Sequence, residues 1–107
     1  MLRLMGDNGK PNDNMLMRIL SPYPNDRSAL TDCKKLVESN LDGRKAIIIY
    51  GFDYPGLAMD PAVGAFELLA ARWVSLGTRA VGAYSDLVHP VHRAGRVFGW
   101  EVTRLAA

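Results

Sequence analysis

The sequence predicts an α/β fold: a small mixed sheet with two main helices packed on it and a C-terminal β-hairpin. Three observations carry that expectation. Residues 46–50, Ala-Ile-Ile-Ile-Tyr, form a continuous apolar and largely β-branched run between Lys45 and Gly51. Apolar residues recur at helical spacing on both sides of it. Near the C-terminus Phe98, Trp100 and Val102 alternate with Val97, Gly99 and Glu101, the period of a strand with one apolar face.

Met1 to Met5 is apolar apart from Arg3 and stops at the turn formers Gly6-Asp7-Asn8-Gly9, which predicts a strand. Free termini fray unless another strand ties them down, so a strand here points to the C-terminal part of a longer domain. Residues 6–13 contain only polar residues, Gly and Pro and are expected to form a loop. Met15 to Leu20 follows the capping types Asn12, Asp13 and Asn14, and its Met and Leu favour a short helix. Pro22 and Pro24 forbid its continuation.

Asn25 or Asp26 is expected to cap a helix over 26–39, in which Ala29, Leu30, Cys33, Leu36 and Val37 make one apolar stripe. Lys34, Lys35 and Glu38 fall on the other face, and Gly43 suits a left-handed position after the helix. A strand at 46–50 that does not alternate is expected to be buried on both faces, as in a parallel sheet. Asp60-Pro61 supplies an N-cap and an N1 proline to a second helix over 60–76, with Val63, Phe66, Ala70, Trp73 and Val74 inward. Arg79 to Tyr84 is expected to be a second strand, and the order strand, helix, strand implies parallel pairing through a right-handed crossover. Residues 86–91 and 96–103 would be the arms of a hairpin turning at Arg93-Ala94-Gly95.

With 107 residues, 49% of them hydrophobic, the chain is the size of a single domain. Its 13 basic and 11 acidic residues give a net charge of +2 without a run of like charge, a weak case for nucleic-acid binding. Arg72, Arg79, Arg93, Arg96 and Arg104 are expected on a solvated surface. Cys33, the single cysteine, cannot form an internal disulfide and reads as a small core residue, which suits a reducing cytoplasm. No apolar stretch approaches about 18 residues, so neither a membrane span nor a membrane partner is expected. The first residues also lack the long apolar region of a signal peptide.

Two constellations bear on chemistry. Asp53 follows the apolar strand in Gly51-Phe52-Asp53-Tyr54-Pro55-Gly56, where ligands bind in open α/β sheets, although an aspartate before a proline is also a common turn former. His89 and His92 in His-Pro-Val-His invite a metal. On a strand, however, residues three apart face opposite ways, and no HExxH helix or cysteine cluster completes a site. No metal or cofactor is therefore expected. Ser28, Ser75 and Ser85 lack a GxSxG context, so nucleophilic catalysis has no support.

Asn12 to Ser39, with its core Ser-Pro-Tyr-Pro-Asn-Asp-Arg-Ser-Ala-Leu-Thr-Asp-Cys-Lys-Lys-Leu, Gly43 to Asp53, and Leu87 to Val102 resemble uncharacterised actinobacterial proteins with a restriction-endonuclease-like, PD-(D/E)XK, layout. The resemblance implies a strand bearing (D/E)xK, then a helix at 26–39, then the apolar strand at 46–50. Residues 1–5, where that first strand would fall, contain no acid and no lysine. The one formal match, Asp32-Cys33-Lys34, lies in a helical pattern that sets its two side chains about 200° apart around the axis. The resemblance thus implies a truncated or inactive relative, and no catalytic residue carries over.

Three functional expectations follow: a non-catalytic or truncated endonuclease-like domain, a small enzyme with an acid-base or metal site at Asp53 and His89 or His92, or an interaction module. In the last, strand 96–103 would be a sheet edge pairing with a second copy or a protein partner.

Overall fold

One ten-residue strand near the end of the chain organises the sheet. In the computed structural model, which describes residues 4–5, 11–12, 14–23, 25, 27–52, 58–85 and 94–105, the elements in order are β1 (Leu4–Met5), β2 (Pro11–Asn12), α1 (Asn14–Leu20), α2 (Ala29–Glu38), β3 (Ala46–Phe52), α3 (Asp60–Ala70), β4 (Val74–Leu76), β5 (Ala80–Tyr84) and β6 (Gly95–Arg104). The main sheet has four strands. β6 pairs with β3 on one side and with both β4 and β5 on the other. β1 and β2 form a separate two-stranded ladder.

The α/β class, the two main helices and a C-terminal hairpin are all present, the hairpin arms being β5 and β6. The first arm expected at 86–91 lies outside the described residues. Every described ladder is antiparallel, so 79–84 does not pair in parallel through a crossover. It pairs instead with the strand that follows it. The strand at 46–50 is also not buried on two faces: Ile47, Ile49 and Gly51 point inward, while Ala46, Ile48 and Tyr50 are exposed. Its alternation is hidden because the outward positions are apolar too. β3 is an edge strand, and 96–103, expected at an edge, lies at the centre.

Three further boundaries move for local reasons. Helix α2 starts later than expected because Ser28, not Asn25 or Asp26, caps it: its hydroxyl accepts from Thr31 N, while Thr31 Oγ1 accepts from Ser28 N, 3.1 Å in each case. Helix α3 ends at Ala70, and Val74, expected on its inner face, belongs to β4 and pairs with Arg104. Asp60 gives α3 no side-chain cap, because its carboxylate is turned to Arg96. The 6–13 loop contains the β2 pairing at Pro11 and Asn12.

The helices cover one face of the sheet. Ile19 of α1, Leu30, Cys33 and Val37 of α2, and Val63, Phe66 and Ala70 of α3 share a single core with Ile47 and Ile49 of β3 and Phe98, Trp100 and Val102 of β6. Phe66 tilts against Trp100 with ring centroids 5.0 Å apart. Gly43 takes φ of 97°, the left-handed conformation expected of it. No helix among the described residues is long and apolar enough to cross a membrane.

Candidate functional site: an uncovered strand edge

A cleft of about 330 Å³ runs along the outer edge of β3, lined by Ile47 to Phe52 on one side and by Arg18, Ile19, Arg27, Ala29 and Asp32 on the other. Its second wall is built where α1 ends and α2 begins. Ile19 anchors α1 in the core with 3% of its surface exposed. The buried Ser28 hydroxyl donates to the Ser21 carbonyl at 2.5 Å, fastening the start of α2 to the segment that leaves α1. Arg27, immediately before that fastening, has φ of 50°, a left-handed conformation that costs a non-glycine residue about 1 kcal/mol.

Along β3 itself no side chain is charged from Ala46 to Phe52. Among the described residues no strand pairs with its outer edge. The outward-facing side chains beside that edge are Ile48 and Tyr50, 64% and 66% exposed. Among the described residues one ion pair borders this face: Arg44 donates to Glu101 through Nε at 2.6 Å and through Nη2 at 3.2 Å.

The inner face carries its charges differently. Arg79 makes a two-pronged pair with Glu67, its Nε donating to Oε2 at 3.0 Å, and Trp100 Nε1 donates to the same carboxylate at 2.8 Å. Arg96 grips Asp60 at 2.9 and 2.7 Å. Both guanidinium groups lie over the Phe98 ring, at 5.7 Å for Arg79 and 5.1 Å for Arg96. The hydrogen bonds from Arg79 and Trp100 hold the Glu67 carboxyl below its usual range, and the Arg96 hydrogen bond does the same for Asp60. These carboxylates are kept ionised and occupied, as clamps between α3 and the sheet. Two of the five arginines expected on a solvated surface thus pair with α3 carboxylates at that surface, Arg79 exposed and Arg96 half-buried.

Of the residues singled out in the sequence, Asp53, His89, His92 and Arg93 lie outside the described residues. The ground for placing a ligand at Asp53 was the carboxyl end of a parallel sheet, and that ground lapses in an antiparallel one. The attachment points of these segments nevertheless meet. Phe52 pairs with Gly95, and Gly95 pairs with Tyr84, so the chain leaves towards Asp53 and towards the two histidines at one end of the sheet. Tyr84 crosses over Gly95 there, donating to the Gly51 carbonyl at 3.0 Å and meeting the Phe52 ring edge-on. Among the described residues no three His, Cys, Asp or Glu side chains gather as a metal site. Cys33 is fully buried, and burial together with the nearby Asp32 charge pushes its thiol up to about 11.

Asp32 and Lys34 diverge. Asp32 lines the β3 cleft, whereas Lys34 Nζ sits 5.7 Å over the Trp73 ring. The cleft itself was not legible as a site. Its wall comes from Arg18 and Arg27, which carry no motif, and from Asp32, whose formal (D/E)xK match points to other chemistry, and the available signal was the absence of charge across β3. Comparison with known proteins finds no matching family model, no similar curated protein and no similar solved structure.

Proposed function

We propose that this chain is a non-catalytic binding module that receives an extended polypeptide segment along the edge of β3. The observation that carries the proposal is the uncharged seven-residue strand bordering a cleft without a described partner strand. An edge strand offers a row of unpaired N–H and C=O groups, and strand addition turns them into hydrogen bonds, with specificity supplied by alternate side-chain contacts. The non-catalytic part draws on the endonuclease-like resemblance and on the divergence of Asp32 from Lys34. Peptides selected from a random display library on the wild-type chain are expected to be extended and apolar, and to bind Ile48→Lys at least tenfold more weakly. Unchanged binding to that variant would place the site elsewhere.

The meeting of Phe52, Gly95 and Tyr84 favours a second reading, a small enzyme with an acid-base or metal site at Asp53 with His89 or His92. Titration with cobalt(II) tests it. A visible absorption band lost in His89→Ala and Asp53→Ala supports it, and a silent titration of the wild-type chain removes the metal form.

A further inference from the structure

We infer that the segment received at the β3 edge is the β3 strand of a second copy, paired antiparallel about a two-fold axis at Ile49. This rests on the edge-binding function proposed above and specifies its partner. Among the devices that blunt isolated edges in monomers are lysine, proline, a bulge and an inward-pointing charge. β3 has no charged residue and no proline from Ala46 to Phe52, and its pairing with β6 runs without interruption through all seven residues.

The charge pattern selects the direction and the register. The cations Arg44 and Lys45 sit together just before the strand. Parallel self-pairing would set them beside their copies. Antiparallel pairing about Ile49 moves the two Lys45 residues to opposite ends, about 27 Å apart at about 3.4 Å per residue, well beyond the Debye length of about 8 Å. The same register pairs all seven residues and keeps both cations outside the ladder. A shift of the axis to Ile48 would bring Lys45 opposite the partner's Gly51, inside it.

The register also makes specific neighbours. Ile48 comes opposite the partner's Tyr50, and Tyr50 opposite the partner's Ile48, two aromatic–β-branched pairs of the kind that stabilise antiparallel ladders. Residues directly opposite each other in an antiparallel ladder share a face, so these pairs form on the outward face, where both side chains are now exposed. The helices of both copies then lie on one side of a continuous sheet. A ladder about 24 Å long is small beside obligate interfaces, so association in the micromolar range is expected.

Sedimentation equilibrium from 5 µM to 1 mM tests the pairing, on about the concentration scale set by such an interface. The wild-type chain is expected to pass from monomer to dimer. Ile48→Lys with Tyr50→Lys places like charges opposite each other at both pairs and is expected to stay monomeric. Ile48→Lys with Tyr50→Glu places the lysine introduced at 48 against the glutamate introduced at the partner's 50, twice, and is expected to dimerise. Both positions are exposed, and far-UV circular dichroism of each variant checks that the fold is kept. A wild-type monomer throughout, a dimer of the like-charge variant, or identical behaviour of folded double variants overturns the inference. If the wild-type chain is monomeric but selected peptides still bind and are lost in Ile48→Lys, the edge-binding function stands and only the second copy fails. If neither associates, both fail.

Discussion

At the scale of single residues, the constraint is sharpest at Gly95. A Cβ there would lie 2.1 Å from the Gly51 carbonyl oxygen and 2.5 Å from the Tyr84 hydroxyl. The first obstacle is backbone and cannot rotate away. Gly95→Ala is expected to cost about 3 kcal/mol, near the upper end of overpacking penalties, measured by urea denaturation. Gly82, on the neighbouring strand, has nothing within 4 Å of its Cβ position, so Gly82→Ala should leave stability within about 0.5 kcal/mol or raise it. Equal losses in the two variants would show that the tyrosine crossing is not what excludes a side chain at 95. In the sequence Gly95 looks like one more turn glycine beside Arg93 and Ala94. Its actual role depends on Tyr84 and Gly51, a contact that no local pattern encodes.

At the scale of elements, the helices were legible and the sheet only partly so. Apolar spacing located α2 and α3 because a helix declares its buried face within a few turns, while α1, too short for periodicity, was located by its capping residues and helix-favouring Met and Leu. The run at 46–50 located β3 but misled about its environment, since Ile48 and Tyr50 are apolar without being buried. β4 was hidden because Val74 continues the helical spacing of Phe66 and Ala70. The start of α2 depends on Ser28, and Ser28→Ala removes both its cap and its tie to Ser21. A loss of at least about 2 kcal/mol in thermal or urea unfolding is expected; a neutral result would mean that the fastening is not needed.

Between α3 and the sheet, Asp60 and Glu67 are held below their ordinary values of 3.8 and 4.5. A carboxyl lowered on folding stabilises fully above its unfolded value and loses that contribution as pH falls through the folded one. Stability should therefore be flat with respect to these groups above about pH 5 and decline below about pH 4.5. Asp60→Asn with Glu67→Gln should be less stable at pH 7 and show a shallower acid decline in melting temperature. An unchanged slope would mean that the clamps contribute nothing through ionisation. Neither clamp was legible: each joins α3 to a residue far along the chain, and Arg79 and Arg96 look like ordinary surface arginines.

At the scale of the whole molecule, one core is shared by three helices and by the strands β3, β4 and β6, so loss of any layer exposes the rest. Unfolding is expected in a single step. Tryptophan fluorescence, far-UV circular dichroism and the reaction of Cys33 with a thiol reagent should report one transition, since the thiol is buried and its pKa is raised. Cys33 reacting well before the tryptophan signal changes would reveal α2 opening separately. The antiparallel arrangement also fixes a timetable for biosynthesis. β3, β4 and β5 make no described ladder with one another, and each pairs with β6, the last of the described elements. As the chain leaves the ribosome, the three earlier strands must wait, with Ile47 and Ile49 unpacked, until residues 95–104 arrive to join them. The main sheet then closes late and all at once, and until it does the uncharged β3 is a strand that a second nascent chain could take as its own.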